Sequence, residues 1–239
     1  MTEWKARRFW EQAEPRAVDG GFEVALDGRS LRTPGKHALI LPTRALAQAV
    51  ADEWNAQGEL IQPQTMPLTR AVNSAVEKVA PQFDGVVDML AEYGATDLLC
   101  YRATDPEDLI RAQAAAWDPL MDWAATELRA PLRMTHGVIP VDQDAGSLAR
   151  LRAEIAGLDI WGVTALHDLV TLPGSLIIGL AVIRGRITPD QAHDLSRVDE
   201  NFQISRWGAD DDATEAAETR RQAILTAGRL WHLLRNDLA

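Results

Sequence analysis

The sequence predicts an α+β protein: a small N-terminal β-sheet/helix domain followed by a larger, mainly α-helical bundle domain. Three observations carry this. Short β-compatible runs bounded by turn residues fill roughly the first 40 residues. From Thr43 onward the apolar residues recur at helical spacing. A length of 239 residues with 46% hydrophobic residues supports one or two packed domains. The division is expected at residues 1–66 and 67–239.

Phe22–Leu26 and Ser30–Arg32 flank Asp27-Gly28. An Asp-Gly pair between β-compatible runs is a strong hairpin signal, because both central turn positions need positive φ. Ala38–Leu41 is a further apolar run between Pro34-Gly35 and Pro42, so three or more short strands are expected. Leu46, Val50 and Trp54 then share one helical face, with Thr43 as N-cap and Gly58 as the stop. This helix is expected to cover the small sheet, which cannot bury its own apolar face.

After Pro63 and Pro67 the pattern is helical. Leu68, Val72, Ala75, Val76 and Val79 form one stripe, and Phe83, Val86, Val87 and Leu90 the next. Pro106 opens a long helix carrying Leu109, Ile110, Gln113, Trp117, Leu120 and Ala124. Leu148, Leu151, Ile155 and Leu158 mark another. Ser175–Ile183 is apolar all round, as in a central buried helix. Thr188-Pro189-Asp190-Gln191 reads as a capping box, and its helix is expected to run to Trp207 and end at Gly208. A last helix starts in Asp210–Asp212 and carries Ala213, Ala217, Ile224, Ala227, Leu230 and Leu234.

Composition excludes several classes of function. A net charge of −11 opposes binding that neutralises nucleic-acid phosphates. One cysteine, Cys100, permits neither an internal disulfide framework nor a multi-cysteine metal site. No apolar run approaches the ~20 residues of a membrane span, so no membrane insertion is expected. The N-terminus has no apolar signal core.

Candidate chemical motifs are weak. Gly28–Lys36 fails as a phosphate loop, because six residues separate its glycines and His37 stands where a Ser or Thr should bind magnesium. His136 with the pairs His167-Asp168 and His193-Asp194 suggests a helical metal-dependent phosphohydrolase, but neither pair has a specific flanking pattern. Asp210–Asp212 could face a cation. Negative charge at a helix start is favoured without one.

The helix ending at Trp207 is more informative. At about 100° per residue, Leu195, Val198 and Phe202 share one direction, and Ser196, Asp199, Glu200, Gln203 and Trp207 border that apolar stripe. Such an edge is either a solvated flank or a recognition edge whose acids meet basic or amide groups of a partner.

With these segments placed, the chain resembles the assembly chaperones of the F-type ATP synthase that bind the free alpha subunit in mitochondria and alpha-proteobacteria. The resemblance is nearly full length. It rests on Arg8-Phe9-Trp10, Leu26-Asp27-Gly28-Arg29, Leu31-Arg32-Thr33-Pro34, Glu53-Trp54 with Gln57, and Met66-Pro67-Leu68-Thr69. It continues through Thr96–Arg102, Gln113 with Trp117-Asp118-Pro119, Trp123, Ser175-Leu176-Ile177 with Leu180-Ala181, Asp199-Glu200, Phe202-Gln203 and Trp207-Gly208. The chain begins close to Arg-Phe-Trp, where mitochondrial members carry a transit segment, so a bacterial member or a mature form is expected.

The resemblance implies a molecular chaperone and no enzyme. It would shield the interface of unassembled alpha subunit until the beta subunit replaces it. A family acidic residue implicated in this role maps by motif to Glu200, with Asp199, Gln203 and Trp207 on the same edge. No catalytic residue, metal or cofactor is expected. The expected state is a monomer, cytoplasmic in a bacterium and in the mitochondrial matrix for eukaryotic relatives.

Overall fold

In the computed structural model, which describes residues 7–137 and 139–235, Asp27 and Gly28 both adopt positive φ, 46° and 79°. They reverse β2 (Gly21–Leu26) into β3 (Arg29–Ser30). β1 (Ala13–Val18) pairs antiparallel on the other side of β2, giving the order β1-β2-β3. The Asp27 carboxylate accepts from the Gln12 and Glu11 amides at 2.9–3.1 Å. Those bonds stabilise its charged form and hold its pKa below the usual aspartate value.

The strand details depart from the sequence reading. β1 contains Pro15, which suits an edge strand and masks it as a β run. The Ser30–Arg32 run contributes only a two-residue strand. Ala38–Leu41 joins through single bridges, Arg32 to Ala38 and Phe22 to Leu41; Phe22 and Leu41 exchange both backbone bonds, but the next acceptor of β2 on that side, the Val24 carbonyl, is taken by the Leu31 amide.

α1 (Arg44–Asn55) packs on β1 and β2 through fully buried Leu46 and Val50. The Thr43 hydroxyl accepts from the Leu46 amide at 3.1 Å, so the N-cap is as expected. The helix stops three residues before Gly58, where the Asn55 side chain bonds both backbone groups of Ala13 at 2.7 Å. Glu53 faces the start of α2 (Pro67–Ser74) and accepts from the Leu68 and Thr69 amides and the Thr69 hydroxyl, each at 2.7 Å. Two motifs of the resemblance, around Glu53 and Pro67, therefore form one helix cap.

The chain forms two compact units. One is Met1–Phe83 with Ile160–Thr164 and Arg229–Ala239; the other is Asp84–Asp159 with Ala165–Gly228. The second unit is built on α3 (Phe83–Glu92), α4 (Glu107–Thr126), α5 (Ala145–Ala156), most of α6 (Ile160–Thr171), and α7 (Leu176–Ile183). It continues with α8 (Pro189–Ser196), α9 (Val198–Trp207) and most of α10 (Asp211–Arg235). A parallel pair, β4 (Tyr101–Arg102) and β5 (Thr135–His136), lies among them.

Every residue of α7 is buried, as an all-apolar helix requires. Two expectations for the later helices fail. The helix predicted from Thr188 to Trp207 is two helices, broken at Arg197 (φ −118°, ψ 21°). The Trp117 indole takes the Leu195 carbonyl, and the Ser196 hydroxyl takes that of His193, so both acceptors are diverted at the break. In α10 the buried stripe starts only at Ile224, while Ala213 is exposed.

Candidate functional site

The candidate edge on α9 is positioned by a polar scaffold that begins at Asp97. This fully buried carboxylate accepts from the Leu99 amide and, at the start of α7, from the Ile177 amide, each at 3.0 Å. It sits at the positive end of α7, where a negative group is favoured. Burial nevertheless pushes its pKa up to about 6, against the hydrogen bonds from Ile177, Ser175, Leu99 and Leu176. Nearby Cys100 is also buried. Desolvation and then the Asp97 charge push its thiol up to about 12, so it stays protonated at neutral pH.

Arg102 follows on β4. Its guanidinium donates to the Leu99 carbonyl at 2.9 Å, pairs with Asp118 at 2.7 Å and lies 5.4 Å from the Trp117 ring centroid. Buried Gln113, one turn earlier on α4, bridges two segments. Its oxygen accepts from the Ala103 amide at 2.8 Å, and its nitrogen donates to Asp199 at 2.7 Å. Trp117 donates to the Leu195 carbonyl at 2.8 Å. At the far end of α9, Arg206 pairs with Asp108 at 2.8 Å and lies over the Phe202 ring at 5.2 Å. α4 thus grips α9 at both ends.

This grip divides the residues that the sequence grouped together. Asp199 and Arg206 are seven apart, so they share the side turned to α4. Glu200, Gln203 and Trp207, spaced by three and four, make a neighbouring stripe. Asp199 is half-buried and engaged, whereas the side chain of half-buried Glu200 makes no hydrogen bond or ion pair with any described residue. Gln203 is exposed and Trp207 is 79% exposed. No residue of α9 is buried, so Phe202 is half-covered beneath Arg206 and not core as its spacing suggested. Gly208 ends the helix at φ +90°, a conformation open to glycine.

Sequence reasoning did not single out Gln113 as the residue that fixes this edge. A glutamine on an otherwise apolar stripe was the available signal, since a buried amide must find partners.

The other candidates resolve into local contacts. Asp210 accepts from the Ala213 amide at 2.9 Å and caps α10. His167 and Asp168 form a half-exposed pair at 2.8 Å, and Nδ1 of buried His193 lies 3.5 Å from Asp194. Among the described residues no group of three His, Cys, Asp or Glu side chains is arranged to hold a metal ion. Among them no helix is long and apolar enough to cross a membrane.

Comparison with known proteins agrees with the fold. The family model described as ATP12 chaperone protein matches residues 7–125. The mitochondrial protein atp12 of Schizosaccharomyces pombe is 25% identical over 223 residues, covering 87% of this chain and 76% of that protein. The crystal structure of Atp12 from Paracoccus denitrificans is 64% identical, with a TM-score of 0.94 over 98% of this chain and 100% of that one. An aspartate-to-lysine mutant of the same protein is 63% identical, with a TM-score of 0.95 and the same coverage. A protein from Agrobacterium tumefaciens, described as a chaperone, is 36% identical, with a TM-score of 0.89 over 96% of this chain and 85% of that one. This chain belongs to the ATP12 chaperone family, whose members serve ATP synthase assembly.

Proposed function

We propose that this chain holds the unassembled alpha subunit of the F-type ATP synthase and shields its interface until the beta subunit takes its place. Exposed subunit interfaces are apolar patches that aggregate, which is the hazard such a holder removes. The observation that carries this reading is the Glu200-Gln203-Trp207 stripe. It lies on a helix with no buried residue that is nonetheless anchored at both ends by α4. A helix held but not covered is a surface available to a partner.

Within this reading Glu200 sets orientation and encounter rate, because an interfacial charge acts on these more than on raw affinity. Asp199 orients the helix through Gln113. Interfaces of standard size, about 1,600 Å², range from micromolar to picomolar affinity, so a holder can cover the patch and still be displaced. The chain acts as a cytoplasmic monomer without cofactor or catalysis. No observation favours the phosphohydrolase alternative.

The test is a pull-down of alpha subunit in the absence of beta, followed by addition of beta. Capture and then displacement are expected; retention of alpha in the presence of beta would overturn the exchange mechanism. Folded Glu200→Lys protein that captures alpha with unchanged affinity would remove Glu200 from the site.

A further inference from the structure

The uncovered surface does not end at Trp207. Residues 211–220, the first ten of α10, are all exposed except half-buried Ala217, and α9 has no buried residue. The two arms are joined only by Gly208-Ala209-Asp210. They make one uncovered stretch of chain, with Trp207 at the end of α9.

This stretch carries much of the chain's charge. From Asp199 to Glu218 there are seven carboxylates against one arginine, so these twenty residues hold more than half of the net charge of −11. The arginine, Arg206, is already engaged by Asp108. Asp199 is engaged by Gln113, Asp210 caps α10, and Glu218 pairs with Arg221. The side chains of Glu200, Asp211, Asp212 and Glu215 make no hydrogen bond or ion pair with any described residue. Four unpaired carboxylates therefore lie within eight positions of a tryptophan that is 79% exposed.

Resting on the function proposed above, we infer that the uncovered α9–α10 stretch, Asp199 to Glu218, is a docking surface for a basic segment of the client, one that bears lysine or arginine beside a large apolar residue. The apolar residue packs on the Trp207 indole, which also attracts a cation over its face. The free carboxylates of the first turns of α10 steer and register the basic residues. Acidic or purely apolar segments would meet like charge or bury these carboxylates unpaired.

The experiment uses the full chain and a fluorescently labelled arginine- and leucine-containing peptide, with its glutamate-for-arginine counterpart as control. Binding is followed by anisotropy across a salt series. The full chain is expected to prefer the arginine peptide, with affinity falling as salt rises. Trp207→Ala should weaken binding about 30-fold, the scale of an aromatic hot spot. Neutralising Asp211→Asn, Asp212→Asn and Glu215→Gln together should slow association about tenfold at low salt and flatten the salt dependence. Neutralising Glu11→Gln, Glu14→Gln and Asp19→Asn changes net charge equally in the N-terminal region and should alter affinity less than about twofold.

Equal binding of the two peptides, or equal weakening by the two triple variants, would overturn the inference. Peptide binding that depends on this stretch, without capture of alpha subunit, would retain the docking surface and overturn the alpha-subunit reading. Capture of alpha that is insensitive to both the Trp207→Ala and the α10 triple variant would do the reverse.

Discussion

Helices α7 and α9 have similar lengths and opposite surroundings. All eight residues of α7 are buried, and none of the ten in α9 is. α7 is held by apolar burial, each large side chain contributing about 1.5–3 kcal/mol. The free amides at its start are met by Asp97, which accepts from Ile177, and by the Ser175 hydroxyl, which accepts from Ile178. α9 is held by Gln113 and Asp108, both on α4. The first kind of helix has no surface left to share. The second keeps a full stripe for a partner and depends on a few polar contacts for its orientation.

The contrast breaks most severely at Asp97. Asp97→Ala leaves the Leu99 and Ile177 amides buried without an acceptor and should cost about 3 kcal/mol, read as a lower urea midpoint. The same residue imposes a pH dependence. Its folded pKa, about 6, lies above the ordinary 3.8, so between those values the folded state binds more protons than the unfolded chain. Its contribution is full below 3.8 and lost as pH rises through about 6. The midpoint of Asp97→Asn protein should therefore fall less across that window than that of the wild type.

A smaller effect is expected at the α4 grip. Gln113→Ala removes the acceptor of the half-buried Ala103 amide and frees Asp199, with a cost of about 1–3 kcal/mol. It should also lower hydrogen-exchange protection in α9 while leaving α7 unchanged, and equal loss in both helices would blur the distinction. The Arg206–Asp108 pair is exposed, so Arg206→Ala should cost less than about 1 kcal/mol. Least of all, Trp207→Ala should shift stability by no more than about 0.5 kcal/mol, because the indole is already in solvent.

What was legible in the sequence follows local rules. The Asp27-Gly28 turn, the Thr43 cap and the Thr188–Gln191 capping box appear as expected, each decided by residues within a few positions. All-round apolarity marked α7 correctly. The same criterion offered no amphipathic period for α6, where Val163, Ala165, Leu166, Leu169 and Val170 are all buried. Strands of two residues, β4 and β5, are too short to leave any pattern.

By itself the sequence determined which residues share a face, where helices can start and where charge accumulates, because these depend on backbone geometry and composition. Only the tertiary structure decided which faces are covered. Asp97 meets α7 across 80 positions, and Gln113 meets Asp199 across 86. Trp117 takes a carbonyl that helix continuity would have used, and the helix breaks at Arg197. A helical period cannot contain that information, since cover is supplied by residues remote in the chain. That is why Asp199 and Glu200, adjacent in sequence, end with different work: one holds the helix in place, and the other is left free on its surface.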